Sequence, residues 1–356
     1  MYPTEQHKSF GIFVKNQVEE LKRQGLAVDV IAITDPQSGK VNVLKKYLLW
    51  TIQNILIFLF KGYRYDAVHA HYVFPSGVFA SLYKKLWRKR MIVTAHGGDI
   101  DKMARKNERI FRYTKKILTY ADEVIAVGEQ LKQEIINDFG IPSTKVSVLN
   151  MGVNRQVFQP MDKSLARANV AIKEQALSIL FVGNIIKQKG LLELVEALHQ
   201  LRQKEVDGQL YIIGPEKDAT FKQELTERIE QLHVQPYVHF LGVKTQQEIA
   251  KWMAAADVFV LPSHIEGFGL VALEAMSCGT PVVGTKVGGL QYLLANDTGC
   301  LVEPKNADSL AAGIEKVWID KNYRQTLIEN GLKKAEQNDA AYLTSEVKKL
   351  YFPTGG

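Results

Sequence analysis

The residues with the clearest chemical potential lie in HIEGFGLVALEAMSCGTPVV, residues 264–283. The string runs from the end of an apolar run, through a glycine-containing turn, into a helical pattern. Gly267 and Gly269 let the backbone come close to a ligand. The amides of Phe268, Gly269, Leu270 and Val271 are then donors at a helix start without helical partners, which makes an anion site. Glu266 precedes the helix and Glu274 lies one turn inside it, eight residues on. A carboxylate is a strong acceptor for a vicinal diol, and two so placed can hold two polyols at opposite ends of a phosphate. An isolated acid at a helix start is more simply read as a solvated group that stabilises the helix by roughly 0.3–1 kcal/mol. The whole string favours the ligand.

A second string is FVGNIIKQKG, residues 181–190. An apolar run ends in Gly183, followed by Asn184, and Lys189 and Gly190 precede the next helical pattern. The Lys189 ammonium is a point charge suited to a diphosphate. A third is VTAHGGD, residues 93–99, where His96 sits at a strand end and the Gly-Gly-Asp after it favours a ligand-facing position over a packed core histidine. His69 and His71 lie one strand earlier on one face of it, His71 nearer the carboxyl end. A fourth is SFGIFVKNQ, residues 9–17, in which Gly11 opens a helix and lets its start approach a phosphate. No Asp-x-Asp pair stands at a strand end to hold a metal between phosphates, and neither a P-loop nor a serine nucleophile elbow is present.

These strings need elements to position them. Near-continuous apolar runs at 28–33, 66–71, 91–96, 122–127 and 145–150 alternate with helical patterns such as 12–25, and the same alternation recurs with runs at 178–183, 210–214, 238–242, 257–263 and 281–285. Such runs between helices indicate parallel sheets covered on both faces, where ligands gather outside the carboxyl ends of the strands. The pattern implies an α/β chain of two Rossmann-like doubly wound domains. They are expected over residues 1–158 and 159–335, with a C-terminal helix in 336–356 returning to the first. The first domain opens on a helix where a strand is usual, so a strand of about 8–10 residues is expected to be missing from its start.

Bulk properties agree with a soluble globular protein of two domains. The 356 residues carry 45 Lys and Arg against 38 Asp and Glu, a net charge of +7. Much of the excess lies in 83–90 and 101–116, a basic face suited to phosphate-bearing substrates or anionic lipid, though charge runs are as readily solvated helix faces. Those runs have few interleaved aromatics, which argues against nucleic acid. Two cysteines, Cys278 and Cys300, fit a reducing compartment, and the first residues lack a signal-peptide pattern. The apolar stretch 47–60, flanked by Lys45, Lys46, Lys61 and Arg64, is short for a span of about 20 residues. It reads either as a buried core helix or as an interfacial membrane helix.

Taken together, the strings resemble glycosyltransferase family 4, the retaining enzymes with the GT-B fold whose two Rossmann-like domains face each other across a cleft. The resemblance runs over nearly the whole chain, through YPTEQHKSFGIFVKNQVEEL, DAVHAHYVFPSG, VTAHGGD, LNMGVNRQVFQP, FVGNIIKQKGLLELVEAL and the two-glutamate string. It implies a retaining, metal-independent hexosyltransferase that uses no cofactor and takes a nucleotide-diphosphate sugar, UDP- or GDP-linked, as donor. Glu266 would bind the donor sugar and Glu274 the ribose. Gly11, Gly183, Asn184, Lys189, Val243, Phe268, Gly269, Leu270 and Val271 would complete the donor site. His96 would lie beside the transferred sugar, with His71 and Asp99 on the acceptor side. The family often has Arg where this chain has Asn184, which removes one expected cation; Lys187 is the candidate to compensate. The basic, partly apolar first domain points to a saccharide or lipid-linked acceptor of a bacterial cell-envelope, exopolysaccharide or teichuronic-type polymer. It also points to a cytoplasmic enzyme peripheral at the inner face of an anionic membrane. A nicotinamide oxidoreductase does not fit, because the loose Gly267-x-Gly269-x-x-Ala272 lacks the acid expected about 20 residues on. A sugar-nucleotide epimerase of the same fold and a non-catalytic binding subunit stand as alternatives.

Overall fold

The computed structural model describes residues 2–4, 11–35, 39–170, 172 and 176–352. In chain order the main elements are α1 (Ile12–Arg23), α2 (Lys40–Lys61), β1 (Ala67–His71), α3 (Ser76–Trp87), β2 (Arg90–Ala95), α4 (Glu108–Tyr120), β3 (Glu123–Ala126), α5 (Glu129–Phe139) and β4 (Val146–Val148). There follow α6 (Lys163–Val170), β5 (Leu177–Val182), α7 (Leu191–Gln203), β6 (Gly208–Ile213), α8 (Ala219–Gln231), β7 (Val238–Phe240), α9 (Gln246–Ala255) and β8 (Val258–Leu261). The chain closes with α10 (Leu270–Ser277), β9 (Val282–Thr285), α11 (Leu290–Leu293), β10 (Cys300–Val302), α12 (Ala307–Ile319), α13 (Lys321–Gln337) and α14 (Ala340–Tyr351).

The chain divides into two compact units, 1–151 with 340–356, and 152–339. The division falls earlier than the expected end of the first domain at 158, because residues just after Gly152 are built into the second unit. Phe158 is 1% exposed in that unit's core, its carbonyl accepts from Ser277 Oγ at 2.6 Å, and the Val153 amide donates to Asn338 O at 2.9 Å. The last bond also holds 336–339 in the second unit, beyond the expected end at 335.

The first unit has a parallel sheet in the order β1-β2-β3-β4. Strand alternation sends Met91, Val93 and Ala95 to one face, where Ala80, Ile117, Ile135 and Phe139 of α3, α4 and α5 cover them. Ile92 and Ile125 point to the other face, under Leu21 of α1 and Val347 and Tyr351 of α14. The expected strand at 28–33 does not form among the described residues. A parallel strand exists only by its ladder, and no described strand runs alongside; the segment receives a bond from the Tyr2 amide to Ile33 O at 3.1 Å, while Val28 packs on the face beneath α1 and α14.

The second unit has six parallel strands in the order β10-β9-β8-β5-β6-β7. β5 is central, and the chain's direction of winding reverses between β5 and β8, the topological switch point at which doubly wound sheets hold ligands. β10 was not anticipated: three residues, CLV, are too short for the pattern to register.

The apolar stretch at 47–60 lies within the 22-residue α2 and is not a core helix. Leu44, Leu48, Leu56, Leu59 and Phe60 are between 49% and 73% exposed.

Candidate functional site: a carboxylate and a lysine at the switch point

Both strings of the second unit converge at this switch point. β5 delivers Gly183 and Asn184, and the turn that follows brings Lys189 to Gly190. β8 delivers Pro262, Ser263 and then Glu266, and Gly269 opens α10. Lys189 Nζ lies 2.7 Å from Glu266 Oε2, and both side chains are largely shielded, at 21% and 16% exposure. Ser263 Oγ donates to the same oxygen at 3.2 Å. An ammonium beside a carboxylate, each still partly open to solvent, presents a cation and an acceptor within one ligand's reach.

Glycines make this convergence sterically feasible. Gly190 has φ +70°, and a Cβ there would stand 1.9 Å from the Pro262 carbonyl oxygen. Gly288 has φ +49°, and its Cβ would stand 1.9 Å from the Glu266 carbonyl oxygen. The Gly289 amide donates to Glu266 O and Gly267 O, both at 3.1 Å. The loop carrying Glu266 is thus clamped between the turn before α7 and the loop after β9. His264 reinforces it: its amide donates to Gln188 O at 2.9 Å, and its Nε2 lies 2.8 Å from Glu193 Oε1.

Gly269 adopts φ 89° and ψ 42°, a left-handed geometry that costs a side chain energy. Its carbonyl accepts from Ala272 and Leu273, while the Leu270 and Val271 amides bond no carbonyl among the described residues. The helix start is therefore a set of free donors beside Glu266. Glu274 lies a turn further along α10, and burial pushes its carboxyl up to about 8. Val243 is 54% exposed just past β7, and the Gly214 amide bonds Gly242 O at 2.9 Å, so Val243 stands beside the carboxyl end of β6. Asn184 is exposed. Lys187 is exposed and pairs with Glu224 of α8 at 3.1 Å.

The first unit carries the other predicted residues. His71 Nδ1 lies 3.2 Å from His96 Nε2, and their rings stack at 5.4 Å. Phe13 and Tyr72 flank His96, at 5.1 and 4.7 Å between ring centroids. Gly11 is buried with φ 72° at the start of α1, and this start brings Phe13 to His96. Ser9 and Phe10 of the same string lie outside the described residues. Burial holds His96 well below the usual imidazole range and His71 down to about 4, so both are neutral at pH 7. Asp99 departs from its expected acceptor role. It is 3% exposed, and its two oxygens accept from the Val73 and His96 amides, each at 2.9 Å. Its carboxylate fixes the His96 loop and has no oxygen turned to solvent.

Tyr72, Ser263 and His264 are expected near a ligand because they directly follow strands, whereas sequence reasoning missed Glu193, Phe13 and the Gly288-Gly289 pair; of these only the glycines left a readable signal, a Gly-Gly after an apolar run in a chain whose ligand loops follow strands. Among the described residues, no group of three or more His, Cys, Asp or Glu is placed to hold a metal ion.

Residues 11–157 match Glycosyltransferase Family 4 and residues 162–334 match Glycosyl transferases group 1. An uncharacterized glycosyltransferase of Methanocaldococcus jannaschii is 30% identical over 80% of this chain and 75% of its own. A putative teichuronic acid biosynthesis glycosyltransferase of Bacillus subtilis is 27% identical over 89% of this chain and 88% of its own. The solved sucrose-phosphate synthase of Thermosynechococcus elongatus superposes with a TM-score of 0.81 at 25% identity, covering 98% of this chain and 94% of that one. The two Rossmann-like units therefore form the GT-B fold, and the chain belongs to the group 1, family 4 glycosyltransferases.

Proposed function

We propose that this chain moves a sugar, with retention of configuration and without a metal, from a UDP- or GDP-linked donor to an acceptor hydroxyl. The acceptor is a saccharide or lipid-linked intermediate of a cell-envelope polymer, met at the cytoplasmic, inner face of an anionic membrane. The observation that carries the reading is the Lys189–Glu266 pair at the β5/β8 switch point beside the open helix start at Gly269.

Glycosyl transfer builds negative charge on the departing diphosphate and positive charge at the anomeric carbon. Preorganised donors aimed at the diphosphate are the largest lever on such a barrier. Lys189 and the amides of Leu270 and Val271 supply them. Glu266 accepts from hydroxyls of the donor sugar, and Glu274 from the ribose. These groups stabilise the charge on the leaving diphosphate, and as the bond from the anomeric carbon to that phosphate breaks, the leaving phosphate takes the acceptor proton and the new bond forms on the same face. His96 is neutral at pH 7 and keeps both a donor and an acceptor nitrogen. The likeness to the teichuronic acid glycosyltransferase supports an envelope polymer as destination.

The test is a panel of UDP- and GDP-sugars screened by thermal shift, followed by product analysis. One donor should raise the melting temperature by mass action and yield free nucleoside diphosphate plus a glycoside with unchanged anomeric configuration. An isomerised sugar nucleotide would mean an epimerase, and no stabilisation by any donor would mean a non-catalytic binding subunit; either would overturn the proposal.

A further inference from the structure

Helix α2 is built inside out. A helix on a soluble core buries its apolar stripe and shows water its polar one. Here the buried positions are Trp50 and Asn54, at 8% and 6% exposure. The exposed side carries Val41, Leu44, Leu48, Ile52, Ile55 and Leu59 at spacings of three and four residues, with Leu49, Leu56 and Phe60 beside them. The helix is long and apolar enough to cross a membrane by length and composition, spanning about 33 Å at 1.5 Å per residue.

Its inner side is nonetheless fixed to the first unit. Trp50 meets Phe79 edge-on at 5.0 Å and Phe58 meets Tyr83 edge-on at 5.1 Å. Trp87 Nε1 donates to Phe58 O at 3.2 Å. A spanning helix would give up these contacts and place Asn54 in hydrocarbon. The neighbouring helix α3 continues the apolar surface through Val78, Leu82 and Leu86, which are 38%, 39% and 60% exposed and one helical turn apart. Cations border it: Lys45 precedes the apolar run, Arg64 lies over the Tyr63 ring at the far end, and Lys85 and Arg88 are exposed at the end of α3. An apolar face with a basic and aromatic margin matches the layered chemistry of a bilayer surface, with acyl chains beneath and anionic headgroups around.

We infer that the outer face of α2, extended by α3, seats in the headgroup–acyl boundary of an anionic phospholipid bilayer with the helix lying in the plane of the surface. This deepens the proposed membrane-side function and rests on it only for the nature of the acceptor. The bilayer is what would satisfy both the apolar stripe and the cations at its margin.

The experiment is cosedimentation of the full chain with vesicles of phosphatidylcholine alone or with phosphatidylglycerol. Wild type should pellet with the mixed vesicles, more weakly as salt rises. Leu48→Glu with Leu56→Glu should reduce the partition coefficient at least tenfold. Lys85→Glu with Arg88→Glu should reduce it about fivefold or more per cation at low salt while leaving the weak binding to neutral vesicles. Circular dichroism and calorimetric titration with UDP and GDP should match wild type in both variants, since these side chains are exposed and lie outside the second unit. Wild type that stays in the supernatant with anionic vesicles would overturn the inference, as would Glu variants that pellet like wild type. A concentration-dependent dimer abolished by the same Glu variants, without vesicle binding, would assign the face to a second copy and overturn it equally. Nucleotide binding without vesicle binding would sink the docking surface and leave the transferase reading standing.

Discussion

Lys189 Nζ and Glu266 Oε2 stand 2.7 Å apart although 77 residues separate them in the chain. The pair joins the loop after β5 to the loop after β8, so it marks the switch point with one cation and one acceptor. Lys189→Ala should lower kcat/KM for the donor about 100-fold, as loss of a charged donor to a developing anion does. Glu266→Gln should lower turnover comparably. Because the pair is largely shielded, loss of either partner should cost about 1–3 kcal/mol, lowering the melting temperature without unfolding the protein. Steady-state kinetics with thermal unfolding check this; full activity in both variants would remove the site.

Glu274 yields a pH prediction. Its carboxyl is pushed up to about 8 by burial, so the folded chain retains a proton that the unfolded chain releases near pH 4.5. Below that pH both states are protonated and there is no penalty. Between about 4.5 and 8 stability falls with rising pH, by at most about 1.4 kcal/mol per unit from this group. Glu274→Gln should flatten that slope and be more stable than wild type at pH 8. If the ribose hydroxyls bond the carboxylate, donor binding should release a proton. Calorimetric titrations at pH 7 in buffers of different ionisation enthalpy should show that release in wild type and not in Glu274→Gln.

The second unit was the more legible half because its chemistry is local. Glu266, Gly269 and Glu274 lie within one strand–turn–helix, where glycine spacing and apolar periodicity speak for themselves. The pairing of Glu266 with Lys189 followed from topology once both were placed after central strands. The His264–Glu193 contact, by contrast, joins two polar side chains 71 residues apart, and nothing local distinguishes it from two surface groups. Asp99 read as an acceptor contact because its string looks open; only the three-dimensional turn shows its oxygens occupied by the Val73 and His96 amides. Helix α2 left two readings open, a core helix and an interfacial one: its composition suits both, and its exposure depends on which neighbours the sheet supplies.

Gly288 has no functional group, yet its substitution should damage the site. A methyl there would meet the Glu266 carbonyl oxygen at 1.9 Å with φ at +49°. The collision is with backbone, so the loop bearing Glu266 must move. Gly288→Ala should destabilise by about 1–3 kcal/mol and weaken donor binding at least tenfold. Gly98→Ala is the control, because no atom beyond its own chain neighbours lies within 4 Å of its Cβ position. Chemical denaturation and donor titration separate the two effects; unchanged donor affinity in Gly288→Ala would show that the loop's position does not matter.

His71 lies 3.2 Å from His96, and the pair is half-buried and neutral at pH 7. Burial lowers His71 to about 4 and His96 well below the usual range. For such bases the sign runs opposite to Glu274. At pH above about 6.5 neither state carries the protons and stability is full; as pH falls toward 4 the unfolded chain takes up protons that the folded one refuses, and stability is lost. His71→Asn should therefore reduce the fall in melting temperature between pH 7 and 4.5. It should keep a hydrogen-bonding group near the His96 ring, whereas His71→Ala leaves that ring free to turn. If His71 positions His96, His71→Ala should lower kcat about tenfold with donor KM unchanged, and His71→Asn should recover part of it. Equal kcat in both variants and wild type, with the acid sensitivity alone changed, would reduce His71 to a packing residue and leave His96 oriented by Phe13 and Tyr72.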